Sequence, residues 1–349
     1  MRKLKIKRLK DNDNKAKSKK SKKGNILTKI LIFLIFEILF TCATLPILIF
    51  YGPFENVKGT ITGMSWNTLR HQYIAKFFLS DEAINRIISK NFAEDPLDNG
   101  EVLHKLKFSS KHDDKIEVYN IDGGSFEGKL MLVYDPSRIK VGYSKNFPIS
   151  GETTSSIAKR NGAVAAINAG GFKDVGWTGT GGTPMGYIIH DGKVIVNDKS
   201  NTVKQDTAAF TDNMLIVGKH SVDQLLNEYG VKEGVSFGPP LVVNGQRTIK
   251  RGDGGWGIAP RTAIGQRADG TVILLVIDGR RAGSLGATLR DVQEIFLKYN
   301  AENAVNLDGG SSTTMYFNGK VINKPSDGLG ERAVASVFMV MPGKAGGSK

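Results

Sequence analysis

From Lys115 onward the apolar positions come in short bursts: GKLMLVYD, AVAAIN, GYIIH, KVIVN, MLIVG, PLVVN, TVILLVID, AVNL and TMYF. Each is bounded by Gly, Pro, Asn or Asp. Brief apolar runs closed by turn-forming residues predict β-strands. The spacing changes to three and four over Ser155–Arg160, Ser221–Tyr229 and Thr288–Tyr299, which predicts helices. In the last of these, Leu289, Val292, Ile295, Phe296 and Tyr299 share one face and Thr288 is placed to cap it. The expectation is an α+β (mixed α/β) fold: a many-stranded mixed sheet with a few packed helices, one unit over 111–343. A frayed end follows at 344–349.

The earlier chain follows other periods. Trp66 to Asn91 carries Leu69, Tyr73, Phe77, Phe78, Ala83, Ile84, Ile87 and Ile88 at helical spacing, with Ser80-Asp81 suited to end one helix and cap the next. Residues 52–110 therefore read as a helical, membrane-proximal stalk. From Ile30 to Tyr51 the chain is almost continuously apolar, with Glu37 its one charge. At helical rise that run spans ~33 Å, enough for a bilayer's hydrocarbon core, so 26–51 is expected to be a transmembrane anchor.

Charge sharpens this expectation. The 349 residues carry a net +14, yet Met1 to Lys29 holds thirteen Lys or Arg against two Asp, leaving only +3 for everything after it. The basic arm, 1–25, is expected to be disordered and cytoplasmic, with the rest of a single-pass chain outside the cell membrane. The run is longer than a signal peptide's apolar region and no A-x-A-like site follows it, which favours an uncleaved anchor. The arm has no aromatic interleaving and no reading motif, so nucleic acid is not expected as a partner. The one cysteine, Cys42, lies inside the apolar run. The outer part can hold neither a disulfide framework nor a thiolate nucleophile.

Two strands end alike: TVILLVI runs into Asp278-Gly279-Arg280, and AVNL into Asp308-Gly309-Gly310-Ser311-Ser312. The aspartates lie thirty residues apart, a spacing that fits a strand–helix–strand unit. If the strands are parallel neighbours, both carboxylates emerge at one sheet edge, where ligands collect. Paired carboxylates there suit acid/base work on an acetal, or a divalent cation. The glycines admit a ligand closely, and Ser311 through Thr314 supply hydroxyls and N–H groups. Asn168, ending AVAAIN, offers an amide to a sugar or phosphate, and Arg261 of APRTAIG offers a bidentate fork. Thr183 could line the same site, before a hairpin turning at Asp191-Gly192. The GTGG run, 179–182, is a weak phosphate-loop signal. HExxH, GxSxG and Walker motifs are absent, and no dinucleotide fingerprint runs from a predicted strand into a helix. None of His71, His104, His112, His190 and His220 has metal-ligand spacing to another, although His112 clusters with Asp113-Asp114. No metal ligands and no cofactor are expected.

INAGGF, the GGTPMGY-to-DGKVI hairpin, FGPPLVVNG, PRTAIG, VIDGR, SLGATLRDV, NLDGGSSTTM and GERAVAS occur in order from about Asn161 to Val340. Together they resemble the phosphodiester glycosidase family, which includes bacterial members labelled as exopolysaccharide-related. The resemblance implies hydrolysis of a sugar-1-phosphodiester to sugar and phosphomonoester. It makes Asp308 and Asp278 candidates for acid and base or nucleophile. Arg261 would take the phosphate, with Arg332 of GERAV a second anchor. Asn168, Gly309, Gly310, Ser311 and Ser312 would hold sugar or phosphate oxygens. The expected protein is a membrane-anchored hydrolase of glycosyl-phosphate linkages in envelope or exopolysaccharide glycans, its partner an anionic glycan or sugar phosphate. The rival readings are a non-catalytic glycan-binding or assembly module and a metal-dependent phosphodiesterase.

Overall fold

The structure is a computed structural model that describes residues 10–66, 71–99, 102–104, 113–173 and 180–343. The part of the basic arm before residue 10, His112, Gly179 of GTGG and the 344–349 end lie outside the described residues. The chain divides into two compact units, Met1–Lys58 and Gly59–Lys349.

In the first unit a 42-residue helix runs Lys10–Tyr51, and its Ile26–Tyr51 part has a mean hydropathy of 2.4, long and apolar enough to cross a membrane. Within it the Thr44 hydroxyl returns to the Phe40 carbonyl at 2.7 Å, so a polar group in an apolar run is satisfied locally. The helix also continues back into the arm expected as disordered. No proline interrupts Lys10 to Lys29, and each residue added to an existing helix gains a hydrogen bond without a new nucleus.

The second unit opens with helices Glu55–Trp66, Gln72–Phe78 and Asp81–Ser89, the first of them beginning just inside the preceding unit. Ser80 caps the third as expected, accepting from the Ala83 amide at 3.2 Å. The stretch read as a stalk is tied to the strands from Gly59 on. Phe92 bridges Gly254, the Glu94 amide donates to the Thr248 carbonyl at 3.0 Å, and the Asn244 side chain donates to the Val102 carbonyl at 3.0 Å.

Seven strands form the largest sheet, with Arg261–Arg267 near its centre between Val272–Ile277 and Ala301–Leu307. Two five-stranded sheets complete the frame, one containing Tyr187–His190, Gln205–Phe210 and Glu233–Ser236, the other Ile139–Tyr143, Ala165–Asn168 and Ser336–Val340. Every ladder between described strands is antiparallel. Val272–Ile277 and Ala301–Leu307 thus run the same way without touching, because both pair with the strand between them. The expectation of parallel neighbours is corrected: a thirty-residue spacing fits a crossover that skips a strand as well as one that does not. The shared edge survives, with Asp278 and Asp308 two interstrand spacings apart, ~10 Å along the sheet.

Alternation explains the continuous apolar run of TVILLVI. Val272, Leu274 and Val276 join a core shared with Ile167, Ile189, Phe210 and Phe338 of the smaller sheets. Ile273, Leu275 and Ile277 face the opposite way, under Val292 and Phe296 of helix Leu289–Lys298. A strand buried on both faces has no polar positions to alternate with. The helix begins at Thr288, capped reciprocally with Asp291, and its Phe296 sits where a Cβ on Gly265 would come within 2.7 Å.

Candidate active site

Asp308 is the first residue past its strand, and the loop that follows is sewn to strand ends of two sheets. Its amide donates to the Ala169 carbonyl at 2.9 Å, and the Gly310 amide donates to the Pro260 carbonyl at 2.9 Å. Both glycines are required by space. A Cβ on Gly309 would lie 2.8 Å from the Pro260 carbonyl oxygen, and Gly310 has φ 61° with the Arg280 guanidinium 3.3 Å from where a Cβ would stand.

The Asp308 side chain is half-buried, and burial pushes its carboxyl up to about 6. The Ser312 hydroxyl, the positive charge of Arg332 and the Gly309 amide all act against that rise without cancelling it. Arg280 stands beside the loop and donates to the Ser311 hydroxyl at 3.4 Å. It sits at φ 57°, a left-handed conformation that costs a non-glycine residue ~1 kcal/mol and is found where structure over-determines it. Burial first, and then the nearby charge of Arg332, lowers its guanidinium pKa. Two guanidinium groups near enough to repel stand next to one carboxyl, a charge arrangement suited to an anionic ligand. The Arg332 guanidinium also lies over the Phe172 ring, 5.1 Å from its centroid. Thr183 is half-buried opposite Lys173 in the short ladder that pairs Phe172 with Pro184, which places it at the border of this site.

Three of the residues singled out in the sequence face inward instead. Asp278 is 4% exposed: its carboxylate accepts from the Asn323 amide and the Lys324 backbone N–H, both at 3.0 Å, and lies 3.6 Å from Arg281. It braces the turn that carries Arg280. Asn168 is fully buried: its amide donates to the Asp308 carbonyl, while its oxygen accepts from Thr262 Oγ1 at 2.7 Å and from the Thr314 N–H at 3.1 Å. It positions Asp308 through the backbone. Arg261 donates to the Ala287 carbonyl at 3.0 Å and, through one terminal nitrogen, to those of Trp256 at 3.1 Å and Gly257 at 2.5 Å. Burial lowers its guanidinium to about 10. Removing this fork in Arg261→Met should strip the Trp256 and Gly257 carbonyls of their donor, leave that of Ala287 with the Ala259 N–H alone, and lower stability by about 2–4 kcal/mol in urea unfolding. A phosphate anchor would instead show raised KM at unchanged stability.

Among the described residues one His/Asp/Glu group could converge on a metal: His190, Asp191 and Glu233. Sequence spacing could not find it, since Glu233 comes from a separate strand. The Lys140 ammonium already occupies that junction, 2.8 Å from Asp191 and 2.9 Å from Glu233. It reads as an ion-pair node. Arg280 and Phe172 were not singled out in the sequence, since nothing in VIDGR or AGGF marks the first as reaching Ser311 or the second as lying under Arg332.

An antiparallel α+β frame with a carboxylate, an arginine and a glycine loop at one edge of its largest sheet, and a second arginine brought near them from just ahead of another strand, defines a class that comparison makes explicit. A family model described as phosphodiester glycosidase matches residues 161–341, just over half of the chain, and the chain belongs to that family. Its relatives include the SPbeta prophage-derived uncharacterized protein YomE of Bacillus subtilis, 36% identical over 198 residues, covering 54% of this chain and 29% of that protein. Another is the N-acetylglucosamine-1-phosphodiester alpha-N-acetylglucosaminidase of Bos taurus, 41% identical over 70 residues, covering 20% of this chain and 13% of that protein. The chain thus spans under a third of the length of these curated relatives. Among solved structures, the catalytic domain of the zebrafish N-acetylglucosamine-1-phosphodiester alpha-N-acetylglucosaminidase, auto-inhibited by its pro-peptide, superposes with a TM-score of 0.60. It shares 26% identity and covers 70% of this chain and 90% of that one.

Proposed function

We propose that the protein hydrolyses sugar-1-phosphodiesters, breaking the bond between the sugar's anomeric carbon and oxygen. Water supplies the new oxygen on the sugar, and the other product is a phosphomonoester. The observation that carries this reading is one raised-pKa carboxyl, Asp308, beside two mutually repelling guanidinium groups, Arg280 and Arg332. In this reading the arginines hold the phosphate and take up the negative charge it gains on leaving. Ionised Asp308 takes the proton from the attacking water. A departing phosphate is a weak base, so a second carboxyl acid is dispensable, which fits the commitment of Asp278 to its brace. The Ser311 hydroxyl is the further donor this reading offers to substrate oxygens, since the buried Ser312 hydroxyl and the Gly309 N–H turn to Asp308 and the N–H groups of Gly310, Ser312 and Thr313 donate within the protein. The Ile26–Tyr51 helix would anchor the chain, with its basic end in the cytoplasm and the enzyme outside, facing envelope or secreted glycans.

Hydrolysis of such a diester in ¹⁸O-water should place the label in the released sugar. Label in the phosphate would move the reaction to phosphorus and to the metal-dependent reading, while binding without any product would leave a glycan-binding module. Arg332→Gln should lower kcat/KM by roughly 10- to 100-fold, the worth of a charge-assisted contact. Because Arg332 favours the ionised form of Asp308, its loss should also shift the activity limb near pH 6 upward. A limb that stays in place would remove Arg332 from the site.

A further inference from the structure

Beyond Asp113, four large hydrophobic side chains among the described residues are at least half exposed: Ile149 at 83%, Met185 at 50%, Leu285 at 61% and Leu329 at 98%. Singly, an exposed aliphatic residue needs no explanation. These four, however, lie on separate loops that border the same site. The Leu285 carbonyl accepts from the Arg280 amide at 3.2 Å. Leu329 tips the turn Asp327–Gly330, just ahead of Arg332. Met185 follows Pro184, the partner of Phe172, and its amide donates to the Gly171 carbonyl at 2.9 Å. Ile149 abuts Gly182, where a Cβ would come 2.7 Å from its carbonyl, and the neighbouring Gly181 abuts Ala333 in the same way at 2.5 Å. The three loops that carry Ile149, Gly181-Gly182 and Ala333 therefore interlock around the approach to Arg332.

We infer that this rim receives the non-sugar arm of the substrate, and that this arm is an apolar long-chain alcohol. The inference rests on the phosphodiester reading above and narrows its substrate class. A phosphodiester has two arms. With the phosphate between Arg280 and Arg332 and the sugar at Asp308, the second arm leaves past Leu285, Leu329, Met185 and Ile149. A polar polymer would gain nothing from those side chains, whereas an alkyl or isoprenoid chain covers them and is itself removed from water. The apolar Ile26–Tyr51 helix suits a chain that works where such amphiphiles reside. The balanced step is sugar–O–PO₂⁻–O–R plus water giving sugar–OH and R–O–PO₃H⁻. The anomeric C–O bond breaks, a C–O bond to the water oxygen forms, and the water's second proton passes to the phosphomonoester.

The test uses the full chain in lipid nanodiscs and one sugar-1-phosphate esterified with methyl, propyl or hexyl alcohol, all short enough to stay in water. kcat/KM should rise roughly ten- to thirtyfold from methyl to hexyl, about twofold for each methylene half-covered by the rim. The Leu285→Ser/Leu329→Ser double variant should flatten that slope, which is read within each protein so that a general loss of activity does not imitate it. Turnover without dependence on chain length overturns the inference and leaves the hydrolase reading standing. A slope undiminished in the double variant also overturns it, since the chain would then rest elsewhere. No turnover of any ester removes both.

Discussion

Asp308→Asn should reduce kcat by about a hundredfold to ten-thousandfold, the usual contribution of a positioned base, while the fold persists. Asparagine keeps the shape and can still accept from the Ser312 hydroxyl and the Gly309 N–H that face the carboxyl. What disappears is the proton acceptor. In the native protein activity should rise with pH through about 6, where the carboxyl ionises. A profile that falls through that value would assign Asp308 as an acid. Stability supplies an independent check of sign. Because the folded-state pKa is raised from 3.8, the ionised carboxyl destabilises the fold. That penalty is absent below the unfolded value and complete above about 6. Thermal melting should therefore find the variant more stable than the native protein above pH 6, with the difference closing by pH 4. An asparagine variant that is less stable at neutral pH would show that the carboxylate holds the loop together.

The second large effect is expected at Asn168. Asn168→Ala leaves the Asp308 carbonyl, the Thr262 hydroxyl and the Thr314 N–H without their shared partner in a fully buried place. Each such buried group costs ~1–3 kcal/mol. Some relaxation and entry of water would leave a net loss of about 3–5 kcal/mol, read as a lower urea midpoint at unchanged slope. Activity at low temperature, where the variant remains folded, should fall at least tenfold, since the backbone that aims Asp308 loses its tie. A residue that merely touched sugar would behave differently, with normal stability and a raised KM.

Asn168, Arg261 and Asp278 show where the sequence stops being informative. A polar residue at a strand end reads the same whether it turns toward ligand or toward protein, and all three satisfy neighbouring backbone or braces instead. Arg280 was hidden for the opposite reason. Its importance comes from a left-handed φ of 57° and from Arg332, which lies far along the chain. Asp308 was legible because two glycines in succession after a buried strand signal close approach, and the positions of Pro260 and Arg280 account for both. The helix Leu289–Lys298 was legible down to its Thr288 cap, since a cap is a local matter. So was the Asp191-Gly192 turn, where both residues adopt the positive φ, 47° and 72°, that a tight hairpin demands. Sheet order was not local, and the antiparallel strand Arg261–Arg267 lying between the two aspartate-bearing strands left no mark in the thirty-residue spacing.

The backbone bonds from Asp308 to Ala169 and from Gly310 to Pro260 join the Asp308 loop to strand ends of two different sheets. Freeing such a loop means breaking its bonds to both sheets together, so its opening is expected to go with the loosening of the sheets themselves. Heat inactivation and cooperative unfolding should then be one event, with no warm, folded and idle state between them.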